Sequence, residues 1–271
     1  MRPYHGNIQA VILDWAGTTV DYGCFAPVAV FIKVFQQRGI TITIPQARAP
    51  MGLEKRDHIR AIAQQSDVSA QWQQLYQSAC TEADIDAMYR DSLSLQRNSV
   101  LDYAKLIPGT LESMAYCRAH DIKIGSTTGY SQAVMEVLRP ITAAQGYVPD
   151  ALVCPDEVSA GRPAPYMIYS NAIRLGVYPM AAVVKVGDTL PDIAEGLNAC
   201  CWTIGLSQTG NELGLTQAET ESLSETDLIG RLAPIEQRMK QAGAHETIRS
   251  IADLPAALLS IQARLSAGEQ P

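Results

Sequence analysis

The stretch Val11-Ile12-Leu13-Asp14-Trp15-Ala16-Gly17-Thr18-Thr19-Val20-Asp21 decides how this chain is read. A largely apolar run from Ile8 to Leu13 ends abruptly at Asp14, and Gly17 with two threonines follows within four residues. That is the pattern of a buried parallel strand delivering a carboxylate into a polar turn. In open α/β sheets ligands bind in the crevice beyond the carboxyl ends of the strands, so Asp14 is a candidate for phosphate or metal chemistry.

From Leu106 onward helical and strand patterns alternate, which implies a parallel sheet with crossover helices. Strands are expected over 122–126, 151–154, 182–186 and about 202–206, with a helix after Gly109, another over 166–175 and more near the C-terminus. The strand at 8–13 must join this sheet, because alone it could neither bury both apolar faces nor satisfy its backbone groups. Residues 22–100 show only helical periodicity. One helix covers 25–38 with Val28, Phe31, Ile32 and Phe35 on a stripe, and a second covers 52–65, where Ile59 and Ile62 share a face with Lys55. A third starts near Asp67 and a fourth follows Thr81, which Asp84 pairs as an N-cap, while Arg48–Pro50 read as a bend. The expected architecture is α/β: a Rossmann-like parallel-sheet core, residues 1–21 and 101–271, with an all-helical cap domain, residues 22–100, inserted into it. Residues 207–225 are the most loop-like stretch.

The totals narrow the function. A chain of 271 residues, 47% hydrophobic and 18% charged, can bury a substantial core. A net charge of -7 argues against general binding to nucleic acid or anionic membrane, so small-molecule partners are expected. Six cysteines without a Cys-x-x-Cys pair and four scattered histidines suggest neither a zinc site nor a disulfide framework. With no signal-peptide run and no apolar segment long enough to span a bilayer, a cytoplasmic protein is expected.

Four strand ends carry polar groups: Asp14, then Thr128, then Arg162, then Asp188 with Asp192. Carboxylates meeting at one sheet edge repel unless a cation neutralises them, and hard oxygen ligands without histidine or thiol favour Mg²⁺. The set makes sense as a phosphoryl-transfer site. Asp14 is then nucleophile and metal ligand, Thr128 and the backbone after it hold phosphate oxygens, Arg162 neutralises charge and Asp188 completes the metal site. Taken singly, each residue has an ordinary reading as a helix cap or a solvated charge; their joint order and spacing carry the functional one.

Asp-x-x-Gly-Thr-Thr at 14–19, a strand ending in Thr128-Gly129, a lone basic residue, and Gly187-Asp188-x-x-x-Asp192 follow in the order of the four motifs of the haloacid dehalogenase superfamily, which the chain resembles along its whole length. Two departures stand out. Most phosphatases of that superfamily have a second aspartate two residues after the nucleophile, where this chain has Ala16, and most have lysine where it has Arg162. Residues 14–24, Met51-Gly52-Leu53-Glu54-Lys55-Arg56-Asp57-His58 and Gly125-Ser126-Thr127-Thr128-Gly129-Tyr130 more closely resemble the phosphonoacetaldehyde hydrolase, or phosphonatase, family.

This resemblance implies cleavage of the phosphorus-carbon bond of phosphonoacetaldehyde in 2-aminoethylphosphonate degradation. It implies a Schiff base on Lys55 and an aspartyl phosphate on Asp14; His58, one helical turn from Lys55, is placed by that spacing to shuttle protons in imine formation. Cys24, Met51, Thr128, Gly129, Tyr130 and Arg162 are implied to contact substrate, and Asp14, Ala16 and Asp188 to hold Mg²⁺ with Asp192 in support. A homodimer is also expected, the apolar stripes of the cap helices being able to supply its surface.

The chemistry agrees. Direct cleavage would expel a carbanion, whereas a protonated imine on the adjacent carbon turns the leaving group into a neutral enamine. An ordinary lysine is neutral only about 0.04% of the time at pH 7, so Lys55 needs a desolvated or cationic setting. By composition alone Lys55 reads as a helix lysine covering Ile59 with its stem. Three other functions fit parts of the pattern: a phosphomonoesterase or phosphomutase, which Ala16 disfavours; a lysine aldolase, which would not need Asp14; and a non-catalytic phosphate-binding protein.

Overall fold

A computed structural model describes residues 4–271; residues 1–3, with which the expected core segment 1–21 opens, lie outside it. Strand β1 (Ala10–Leu13) is followed by helices α1 (Phe25–Gln36), α2 (Ile44–Arg48), α3 (Lys55–Ala63), α4 (Ser66–Tyr76) and α5 (Glu82–Asp102). Helix and strand then alternate: α6 (Thr110–Ala119), β2 (Lys123–Thr127), α7 (Gln132–Ala144), β3 (Ala151–Val153), α8 (Tyr166–Leu175), β4 (Val183–Gly187), α9 (Leu190–Asn198) and β5 (Trp202–Leu206). The chain closes with α10 (Gln217–Ser222), α11 (Glu225–Gln241), β6 (Glu246–Ile248) and α12 (Leu254–Ser266).

The strands form one parallel sheet in the order β3-β2-β1-β4-β5-β6. Strand β1 reads as an unbroken apolar run because both its faces are covered. Val11 and Leu13 pack into one core with Val184, Val186 and Ile204, while Ala10 and Ile12 pack into another with Ile168, Leu175 and Val183. The chain runs outward from β1 through β2 to β3, then returns to β4 on the other side of β1 and runs outward again. The switch point therefore falls between β1 and β4, where Leu13 is level with Val186. Asp14 and Asp188 follow these two strands, and topology alone brings them together.

The helical insertion has a core of its own, built from Phe31, Phe35, Ile59, Ile62, Trp72, Ile85 and Met88 among others. The α/β core with an inserted helical cap matches the sequence expectation. Local boundaries differ where capping chemistry intervenes. The bend expected at Arg48–Pro50 is present, as the end of α2 and the turn after it; α2 itself was not anticipated, and Thr43 and Gln46 form its capping box with Pro45 in the first turn. Helix α3 starts at Lys55 rather than Gly52: Gly52 has φ 93°, and the Glu54 side chain accepts from the Arg56 N–H at 3.2 Å to cap the helix. The loop-like 207–225 stretch contains α10, capped by Thr216 and Glu219, and its first residues are buried. The three-residue β6 was not anticipated. Among the described residues no helix is long and apolar enough to cross a membrane.

Candidate active site

The turn after β1 is held tightly. The Asp14 N–H continues the sheet by donating to Val186 O at 3.0 Å, Thr19 Oγ1 donates to Asp14 O at 3.0 Å, and Trp15 Nε1 donates to Ser126 Oγ of β2. Gly17 has φ 81°, and a Cβ there would collide with Asp188 Oδ2. Glycine thus permits both the turn and the close approach of the second carboxylate.

Asp14, Ala16, Cys24, Met51, Lys55, Thr128, Gly129, Tyr130, Arg162 and Asp188 line a single cavity between the core and the cap. Of the residues picked out in the sequence, His58 and Asp192 stand outside this lining. A larger cleft of about 680 Å³ runs beside α7 and β3, but its charged residues Glu136, Arg139, Asp150 and Arg174 are exposed. The buried, convergent charges are in the smaller cavity, and reaction chemistry is better served there.

Arg162 anchors the core side. Its Nη2 donates to Asp14 Oδ1 at 2.6 Å and Thr127 Oγ1 at 2.9 Å, and its Nε donates to Glu195 Oε2 at 3.1 Å. Its Nη1 lies 2.9 Å from Asp192 Oδ1. Lys185, on β4, reaches the same Asp192 oxygen at 2.9 Å and is 1% exposed. Two unit charges about 4 Å apart attract by about 4 kcal/mol at an effective dielectric of 20. Desolvation costs several kcal/mol per buried ion, so such pairs contribute position more than stability.

Asp14, Asp188 and Asp192 place carboxylate oxygens within 4.8 Å of one another. Burial pushes the Asp14 carboxyl up despite Arg162, and burial with the charges of Asp14 and Asp192 pushes Asp188 well above the usual range. Burial also opposes ionisation of Asp192, but Arg162 and Lys185 outweigh it and hold this carboxyl low. Both Asp192 oxygens are already engaged: Oδ1 faces the two cations, and Oδ2 accepts from the Thr189 N–H at 3.2 Å and hydroxyl at 2.5 Å. Asp14 and Asp188, hard donors in excess of their cationic partners, are the pair that fits a divalent cation such as Mg²⁺. Ala16 has only its backbone carbonyl to add.

The cap side is arranged differently. Lys55 Nζ makes no hydrogen bond or ion pair among the described residues, and it stands 5.0 Å from the centre of the Tyr130 ring and 5.6 Å from that of Phe31. Burial holds Lys55 below the ordinary lysine value against the pull of Cys24 and Asp14. Cys24 and Tyr130 are themselves pushed well up by burial, so they remain a thiol and a phenol at neutral pH.

His58 is fully buried behind the cavity lining, stacked 3.8 Å from Phe31. Its Nε2 is 2.8 Å from the Ala47 carbonyl, an acceptor, so Nε2 carries the proton and Nδ1 is bare with no donor among the described residues. Burial and nearby Lys55 push its basicity well down. Helical spacing put His58 one turn from Lys55; the fold turns its ring toward α1 and α2 instead of into the cavity.

Sequence reading missed Thr127, Lys185 and Glu195, which sit under Arg162, and Asn211, whose N–H donates to Asp188 Oδ2 at 2.7 Å. It also missed the cap contact through Arg48, whose Nη1 donates to Gly23 O at 2.8 Å and to Asn211 Oδ1 at 3.1 Å. A lysine inside the apolar strand 182–186 was the available signal for the first group.

A doubly wound sheet with aspartates converging at its switch point defines a class of α/β enzyme, and a family model described as haloacid dehalogenase-like hydrolase matches residues 8–199. A phosphonoacetaldehyde hydrolase of Syntrophobacter fumaroxidans is 49% identical over 270 residues, covering 100% of this chain and 98% of the relative. One from Bacillus cereus is 48% identical over 248 residues, 92% of this chain and 94% of the relative. The crystal structure of a phosphonoacetaldehyde hydrolase like protein from Oleispira antarctica superposes with a TM-score of 0.98 at 39% identity, covering 100% of this chain and 98% of that one. The chain belongs to the haloacid dehalogenase-like hydrolases, in the phosphonoacetaldehyde hydrolase family.

Proposed function

We propose that this chain hydrolyses phosphonoacetaldehyde to acetaldehyde and phosphate, as a step in the breakdown of phosphonates such as 2-aminoethylphosphonate. The observation that carries the reading is the buried amine of Lys55, unpaired among the described residues, in the same cavity as Asp14. A phosphomonoesterase has no use for that amine, and an aldolase has none for the aspartate cluster.

In the proposed reaction the neutral Lys55 amine adds to the aldehyde carbon, and loss of water leaves an imine that is protonated on nitrogen. Asp14 then attacks phosphorus. The phosphorus-carbon bond breaks and its electron pair moves into the imine, leaving an enamine on Lys55 and an acyl phosphate on Asp14. Protonation of the enamine carbon and addition of water release acetaldehyde and regenerate the amine. A second water attacks the acyl phosphate and releases phosphate. Arg162 and the backbone at Thr128 and Gly129 meet the phosphoryl oxygens as charge develops, and Tyr130, Cys24 and Met51 enclose the two-carbon portion. Mg²⁺ held by Asp14 and Asp188, with the Ala16 carbonyl and with Asp192 in support, would offset the negative charge shared by nucleophile and phosphoryl group. The bare Nδ1 of His58 can take part in imine chemistry only through an intervening water.

Residues 22–100 would act as the cap, with 1–21 and 101–271 as the core, so that nucleophile and imine meet only on closure. We further propose a cytoplasmic homodimer using the exposed apolar residues Ile44, Leu75 and Tyr76 of the cap; light scattering gives its mass. For the reaction, purified protein with Mg²⁺ and phosphonoacetaldehyde should release acetaldehyde and phosphate in equal amounts. Release of phosphate from simple phosphate esters, with none from phosphonoacetaldehyde, would favour the phosphomonoesterase.

A further inference from the structure

Beneath the cavity, Arg162 and Lys185 stand side by side and share three oxygen atoms. Asp192 Oδ1 is 2.9 Å from both Arg162 Nη1 and Lys185 Nζ. Glu195 Oε2 is 3.1 Å from Arg162 Nε and 3.2 Å from Lys185 Nζ. Thr127 Oγ1 accepts from Arg162 Nη2 at 2.9 Å and from Lys185 Nζ at 2.7 Å, and it directs its own hydroxyl to Glu195 Oε2 at 3.3 Å. Lys185, Glu195 and Thr127 are each 1% exposed or less, and none lines the cavity.

Two like charges do not settle next to each other in a dry interior without a reason. The shared oxygens supply one. Asp192 and Glu195 pull the guanidinium away from the cavity, while Asp14, 2.6 Å from Nη2, pulls it toward the cavity. Lys185 occupies the two rear carboxylates and repels the guanidinium, and so weakens the rearward pull.

We propose that Lys185 and Glu195 are a positioning pair that sets how much of the Arg162 charge is available to Asp14 and to phosphoryl oxygens in the cavity. The inference rests on the phosphoryl-transfer reading of that site and does not depend on the aldehyde half of the substrate. Lys185→Met leaves both rear carboxylates to Arg162 and draws it back. Glu195→Gln keeps the shape, removes one rear charge and releases it forward.

The test is calorimetric titration of the full chain, at saturating Mg²⁺, with inorganic phosphate. Lys185→Met should weaken phosphate binding about tenfold and Glu195→Gln should tighten it about threefold. The Arg162 Nε–H resonance, assigned by its loss in Arg162→Lys, should move in opposite directions in the two variants. A purely structural role predicts otherwise: both variants would lose phosphate affinity in step with melting temperature, and that result overturns the proposal. So does unchanged affinity in both. If Lys185→Met does not fold, weaker phosphate binding by the near-isosteric Glu195→Gln overturns it alone. Opposite shifts in phosphate affinity with no turnover of phosphonoacetaldehyde by the unmodified chain would remove the proposed substrate and leave the positioning pair standing.

Discussion

The two walls of the cavity solve opposite problems. On the core wall the charged groups are engaged: Arg162 meets three carboxylates, Asp192 meets two cations, and Asp188 accepts from the Asn211 backbone. On the cap wall Lys55 is as deeply buried as Asp14, each 5% exposed, yet it has no polar partner among the described residues. A network of charges held by several partners at once suits a site that must meet developing charge without reorganising. An unpaired amine in a desolvated pocket suits a nucleophile that must be uncharged to react. Residues of the same general type, buried ionisable groups, are thus held by ion pairs on one side and left without a polar partner among the described residues on the other.

The sharpest way to break the contrast is to remove the proposed core nucleophile. Asp14→Asn keeps the shape and should lower kcat for phosphonoacetaldehyde by about 10⁴-fold or more, as expected when a covalent nucleophile is lost. Adduct formation on Lys55 should survive, since the imine step does not need Asp14. Lys55→Arg tests the other wall: it retains positive charge but cannot form an imine, and turnover should fall about 10³-fold with phosphate binding changed little. Comparable turnover by this variant contradicts the proposed chemistry.

A smaller effect is expected from the joint between the walls. Gly52 has φ 93°, and a Cβ there would collide with Thr189 Oγ1 and come within 3.1 Å of Pro191 Cβ. Gly52→Ala should hold the cap off the core and lower kcat/KM about tenfold without unfolding either part, which a melting curve can check.

The smallest effect concerns Asp21, where the chain leaves the core for the cap. Its carboxylate accepts from the Phe25 and Ala26 N–H groups at 3.0 and 2.9 Å, yet burial pushes it up to about 7. A raised carboxyl contributes its stability fully below the ordinary value of 3.8, and that contribution is lost as pH rises toward about 7. Asp21→Asn, which tolerates the left-handed φ of 58°, should therefore gain in melting temperature relative to the unmodified chain between pH 4 and 7, by about 3 °C, and level off above. A difference independent of pH would assign Asp21 no titration in that range.

How far the sequence could be read follows from what kind of signal each feature leaves. Asp14 was legible because an apolar strand and a polar turn are both local patterns, and the alternation after Leu106 gave the parallel sheet. Lys55 was legible only through its neighbours, since periodicity alone makes it a stem over Ile59. Lys185 and Glu195 left almost no trace: besides each other, they meet Thr127 and Arg162, which come from distant parts of the chain, and pairing of that kind has no period. Asn211 lay in a stretch that looked like loop, and its contact with Asp188 is made by a backbone N–H that any residue but proline could supply. His58 was misleading for the opposite reason: helical spacing gives proximity in sequence but not the direction of the ring, which Phe31 and the Ala47 carbonyl decide.

The proposed chemistry turns on one amine of the cap wall, which must be reactive toward the group that Asp14 attacks. Borohydride reduction of the full chain in the presence of phosphonoacetaldehyde, followed by peptide mass mapping, tests it most directly. A stable two-carbon adduct is expected on Lys55 and on no other lysine, with loss of turnover in proportion to labelling. Labelling spread over surface lysines, or full activity after reduction with Lys55 unmodified, would contradict it.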